Sequence, residues 1–68
     1  VLASLTTRER EILQLAAAGL TNVRIGQRLC ISPRTVETHR NHLMHKLALH
    51  NHTDLVRFAI KHGMLSLD

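Results

Sequence analysis

The stretch Ser32-Pro33-Arg34-Thr35-Val36-Glu37-Thr38-His39-Arg40-Asn41-His42-Leu43-Met44-His45-Lys46-Leu47-Ala48-Leu49 decides the fold. Ser32 can accept a hydrogen bond from a free helical N–H, and Pro33 lacks the donor that would stand idle at a first helical position. A helix therefore starts at Pro33, and the pattern carries it over residues 33–49. Val36, Leu43 and Leu47 recur at steps of seven and four, with the aliphatic stem of Arg40 between them, which draws one apolar stripe at helical period. The opposite side carries Arg34, Thr38, Asn41 and His45, with Glu37 on its flank. Such side chains donate and accept on fixed geometry, as the reading of base edges in a DNA major groove requires. The stripe alone fits a merely solvated helix face equally well, so the rest of the chain has to decide.

At 68 residues the chain suffices for one small domain, which buries only roughly 60% of its unfolded surface and is stabilised by a narrow margin. Its 44% apolar fraction comes almost wholly from Leu, Ala, Ile and Val, with Phe58 the only aromatic residue, so a helical core is expected rather than a sheet. A net charge of +4 and a pI near 10.7 point to an anionic partner. No apolar run approaches membrane length and no charged-then-apolar leader is visible, so a soluble, cytoplasmic domain is expected. Cys30 is the single cysteine, and one thiol cannot staple a domain; it reads as a half-buried packing residue in a reducing compartment.

Ahead of the deciding stretch, Val1–Leu5 is a short apolar lead-in whose start without methionine suggests a fragment of a longer protein. Thr6-Thr7-Arg8-Glu9 fits a capping box, with Thr6 as cap and Glu9 reaching back to its N–H. Ile12, Leu13, Leu15, Ala16 and Ala17 continue a helix over residues 7–18, and Gly19 offers a left-handed stop. Thr21 or Asn22 caps a second, short helix over 22–29, with Ile25, Gly26 and Leu29 inward. Glycine inside a helix costs roughly 1 kcal/mol against alanine, so Gly26 marks the close approach of another backbone, that of the helix starting at Pro33. Two helices joined by Cys30-Ile31-Ser32, the second long and polar on its outer face, make a helix-turn-helix. Beyond it His50-Asn51-His52 breaks the pattern, and Thr53 with Asp54 opens a last helix over 54–62. Leu55, Phe58, Ala59 and His62 form its inner stripe, and Val56 and Ile60 an adjacent one that widens the apolar arc toward a second protein or a broader core. Met64–Asp68 is a tail with two more leucines.

Five segments then resemble the LuxR-type helix-turn-helix domain: Leu5-Thr6-x-Arg8-Glu9-x-Glu11-Ile12-Leu13, Gly19-Leu20-Thr21-Asn22, Ile31-Ser32-Pro33-Arg34-Thr35-Val36-Glu37-x-His39-Arg40, Lys46-Leu47 and Ala59-Ile60-x-x-Gly63. The wording Val36-Glu37-Thr38-His39-Arg40 is most similar to the NarL/FixJ response-regulator branch. The resemblance implies an all-α, tetrahelical domain without a wing, the C-terminal part of a bacterial transcription regulator whose missing N-terminal part is a phosphoacceptor receiver. It implies double-stranded DNA as partner, a homodimer through the fourth helix, where the adjacent apolar stripe offers Val56 and Ile60 for pairing on inverted half-sites, and RNA polymerase as a further partner. Position by position it places Glu37, Thr38 and Asn41 at base edges, and Thr21, Asn22, Arg34, Thr35, Arg40 and Lys46 along the DNA backbone, to which helix periodicity adds the outward His45. The chain departs from the family in Val23-Arg24-Ile25-Gly26, where Lys-Glu-Ile-Ala is common, and in His52, where arginine is frequent.

Five of the six histidines fall between His39 and His52, yet His39, His42 and His45 walk around the helix and no cysteine or carboxylate completes a metal site. Neither a metal nor a cofactor is expected; exposed histidines add positive charge as pH falls and so favour phosphate binding. No catalytic pattern is present and the chain is too small to enclose a substrate, which excludes an enzyme. The alternative is a helical protein-protein interaction module without DNA binding. It calls for large apolar anchors on the outer face of the third helix, where Arg34, Glu37, Thr38, Asn41 and His45 stand instead.

Overall fold

Among the described residues four short side-chain oxygens start four α-helices, each accepting the backbone N–H three residues on. In the computed structural model, which describes residues 2–64, the helices are α1 (Thr7–Ala17), α2 (Asn22–Leu29), α3 (Pro33–Lys46) and α4 (His52–Lys61), preceded by a single 3-10 turn at Leu2–Ser4. Thr6 Oγ1 takes Glu9 N at 3.1 Å, and Glu9 Oε1 takes Thr6 N at 2.9 Å, completing the capping box. Thr21 takes Arg24 N at 3.2 Å, Ser32 takes Thr35 N at 3.1 Å, and Asn51 takes Asp54 N at 2.9 Å. Val1 and Leu65–Asp68, including the two tail leucines, lie outside the described residues.

Helix ends are as ordered as the starts. After α1, Gly19 N donates to Ala16 O and Leu20 N to Leu15 O, the paired bonds of a Schellman motif, with Gly19 left-handed at φ +98°. After α4 the same pair forms from Gly63 N to Ile60 O and Met64 N to Ala59 O. The third instance ends α3: Ala48 N donates to His45 O and Leu49 N to Met44 O, with Ala48 at φ 54°. Helix α3 therefore stops at Lys46, three residues short of the periodic pattern, because alanine takes a left-handed role that sequence reading assigns to glycine. Helix α4 begins at His52, two residues earlier than the expected start at 54, because Asn51 caps it by accepting Asp54 N.

Helix α1 lies at the centre and packs on α2, α3 and α4. Ile12, Leu13 and Ala16 from α1, Ile25 from α2, Val36 and Leu43 from α3, and Leu55 and Ala59 from α4 are completely buried together, with Leu5, Ala17 and Leu47 closing the edges. The α2–α3 pair is fixed by a contact that only glycine permits. A Cβ at Gly26 would lie 2.5 Å from Ile31 O and 3.4 Å from Pro33 N, while Ile31 N donates back to Gly26 O at 3.0 Å. Cys30, exposed and left-handed at φ 59°, turns the chain there. Among the described residues no helix is long and apolar enough to cross a membrane.

Candidate nucleic-acid interface

Fourteen residues of α3 rise about 21 Å, enough to lie along a major groove about 12 Å wide. Burying Val36 and Leu43 against α1 and α2 turns the other side of the helix out, and Arg34, Thr35, Glu37, Thr38, Asn41 and His45 are all exposed. Arg34, Glu37, Thr38 and Asn41 meet Pro33 and Asn22 around an open cavity of about 550 Å³ at the junction of α2 and α3. This brings together all three of the expected base-reading residues and two of the expected backbone residues. His45 is exposed one turn beyond Asn41 and does not line the cavity.

Several of these side chains already hold partners, which limits what they offer a ligand. Thr38 Oγ1 donates to Arg34 O at 3.1 Å, so its hydroxyl proton is already engaged while the residue stays exposed. Thr21 and Ser32 are occupied as caps, and Thr35 Oγ1 lies 2.9 Å from Ser32 Oγ. Arg40, half-buried, reaches both neighbouring helices: Nη1 donates to Asn22 Oδ1 at 3.4 Å, and Nη2 lies 3.1 Å from His52 Nδ1. Lys46 sits away from the cavity, its Nζ 2.8 Å from Glu9 Oε1 and 3.3 Å from Ser4 O. Glu9 is buried, and the Lys46 hydrogen bond, followed by the Thr6 N–H, holds its carboxyl below the ordinary 4.5 against an opposing push from burial. The Glu9–Lys46 bond escaped sequence reading because its members are 37 residues apart, although a capping-box glutamate facing inward hints at a cation.

On α4, Val56 and Ile60 are half-buried beside the fully buried Leu55 and Ala59. Phe58 is half-buried too, and His62, expected on the inner stripe, is exposed and stacks its ring 4.2 Å from that of Phe58. Cys30, expected half-buried, is exposed because it occupies the outside of the α2–α3 turn. Among the described residues no group of three or more histidines, cysteines or carboxylates is placed to hold a metal.

Comparison with known proteins gives this geometry a context. Residues 3–59 match the family described as bacterial regulatory proteins, luxR family. The chain is 46% identical over 63 residues to the uncharacterized response regulatory protein YgeK of Escherichia coli (strain K12), covering 93% of this chain and 43% of that protein. It is 42% identical over 64 residues to the transcriptional regulatory protein FixJ of Bradyrhizobium diazoefficiens, covering 94% and 31% respectively. With the transcriptional regulatory protein MctR of Rhizobium johnstonii the identity is 45% over 62 residues, covering 91% and 29%. The chain thus spans less than half the length of each of these relatives. It belongs to the luxR family of bacterial regulatory proteins, as a four-helix domain of DNA-binding transcription regulation.

Proposed function

We propose that the chain is the DNA-binding part of a bacterial, cytoplasmic response regulator of NarL/FixJ type, with α3 seated in the major groove of double-stranded DNA. The observation that carries this reading is the exposed polar face of α3 gathered around one open cavity with the start of α2. Asn41 pairs with the N6/N7 edge of adenine, Glu37 accepts from the amino group of cytosine, and Thr38, its hydroxyl proton held by Arg34 O, meets a base edge beside them. Arg34, Asn22, Thr21, Thr35 and His45 border that face and contact phosphates, supplying affinity that carries no sequence information. Arg40 acts from behind, through Asn22. Lys46 is assigned to the fold rather than to the DNA backbone, because its ammonium is engaged by a buried carboxylate.

Val56 and Ile60 are the proposed homodimer contact, which pairs two copies on inverted half-sites, and RNA polymerase is a further partner. No catalytic role is proposed. Nothing on α3 favours the protein-interaction reading, since Val23 on α2 is the large apolar side chain most exposed among the described residues.

Selection of the chain on random duplex DNA at low and near-physiological salt tests this reading. An enriched motif with affinity falling steeply as salt rises is expected. Absence of binding at both salt concentrations would overturn it.

A further inference from the structure

Arg40 is the only side chain seen here that joins the rim of the DNA-facing cavity to α4 among the described residues. A guanidinium carries donors and no acceptor, so both of its partners must accept. Asn22 therefore turns its carbonyl oxygen to Arg40, which leaves the amide NH2 for the cavity that Asn22 lines. His52 must offer an unprotonated Nδ1, with the ring neutral and its proton on Nε2.

We propose that His52 is a positioning residue for DNA binding: through Arg40 it holds the Asn22 carboxamide with its NH2 toward a phosphate, and protonation of His52 breaks that line. The inference rests on the reading of Asn22 as a backbone contact. A protonated imidazole carries N–H on both nitrogens, so two cations would face each other across 3.1 Å with no acceptor between them. Arg40 then loses one of its two fixed points, and the Asn22 amide is free to turn.

Across from His52 stands Arg40 on α3, whose other terminal nitrogen holds the uncharged Asn22 on α2. On its own side Asp54 accepts His50 N at 3.3 Å. Helix α1, which packs on α4, brings Arg8, Glu9, Arg10 and Glu11, of which Arg8 pairs with Glu11 at 3.6 Å and Glu9 with Lys46.

The test uses the 68-residue chain and a mixed-sequence duplex, with affinity measured at about pH 8 and about pH 5.5. His52→Asn puts an amide oxygen where Nδ1 stands and accepts from Arg40 at both pH values. Wild type and His52→Asn bind equally at the higher pH, and at the lower pH His52→Asn binds roughly threefold to tenfold more tightly, the effect of one positioned hydrogen bond. His39, His42, His45, His50 and His62 are common to both proteins and cancel in the comparison, whereas a charge on His52 exists in the wild type alone and works against the expected difference. An NMR titration of the wild type needs no substitution: the Asn22 side-chain amide signals move as the His52 ring titrates. Equal affinities at the lower pH, tighter binding by the wild type there, or an Asn22 amide that ignores His52 would each overturn the proposal. Asn22→Ala separates the two layers. If it weakens binding while His52→Asn matches the wild type throughout, only the positioning role fails; if it binds as the wild type does, the backbone role of Asn22 fails as well.

Discussion

Lys46 Nζ lies 2.8 Å from Glu9 Oε1, joining the last turn of α3 to the first turn of α1. That carboxylate also accepts Thr6 N, so one buried group completes a helix cap and ties α3 to the helix at the centre of the fold. Orientation of the exposed polar face of α3, proposed to read bases, thus depends on a bond at the helix's far end.

Stability should fall in acid through Glu9. Its folded-state carboxyl is held below the ordinary value, so its stabilisation is fully present above the unfolded value near 4.5 and is lost as pH falls through the lower folded value. Glu9→Gln should lower the melting temperature at neutral pH and flatten its dependence on pH below about 4.5. Thermal melts across that range check this, and an unchanged slope would show that Glu9 is not linked to folding.

Two cations of α3 should behave differently. Lys46→Met leaves the buried Glu9 unpaired and should cost about 1–3 kcal/mol of stability, with the salt dependence of DNA binding unchanged. Arg34→Ala should leave the melt unaltered and reduce the slope of log affinity against log salt by about 0.9, one phosphate contact. Exchange of these two outcomes would return Lys46 to the DNA backbone.

Ala48→Gly should stabilise the chain by about 0.5–1 kcal/mol. Alanine at φ 54° carries a Cβ penalty of roughly 1–2 kcal/mol, from which the extra freedom of glycine in the unfolded chain subtracts part. Denaturant titration measures the difference, and a loss of stability would mean that the Ala48 methyl contributes more packing than its strain costs.

Gly26→Ala should do the reverse. Alanine favours a helix by up to about 1 kcal/mol, but its Cβ would stand 2.5 Å from Ile31 O, so the α2–α3 turn must open. A net loss of about 1–3 kcal/mol is expected in denaturant titration, with weaker DNA binding alongside. A more stable variant would contradict the close approach.

Much of this was legible in the residues because it is local. Each cap acts over three residues, Gly19 announces the left-handed end of α1, and the spacing of Val36, Leu43 and Leu47 turns Asn41 and Thr38 outward. The end of α3 was hidden because Ala48 adopts the left-handed conformation without being glycine. The start of α4 falls earlier than Thr53 and Asp54 suggest because Asn51, which sequence reading leaves in the break before the helix, is the residue that caps it. Long-range polar bonds leave no period in the sequence. The pairing of Lys46 with Glu9 joins residues 37 apart, and the tie from Arg40 to His52 depends on how α3 and α4 meet.

Base reading by the outer face of α3 is most directly tested by selecting DNA from a random duplex library with the wild type and with Asn41→Ala in parallel. The account predicts one enriched motif for the wild type, and for Asn41→Ala the same motif with preference relaxed at one adenine, a loss of roughly 1–3 kcal/mol there and little elsewhere. An identical motif from both proteins, or a uniform loss across all positions, would contradict the assignment of Asn41 to a base edge.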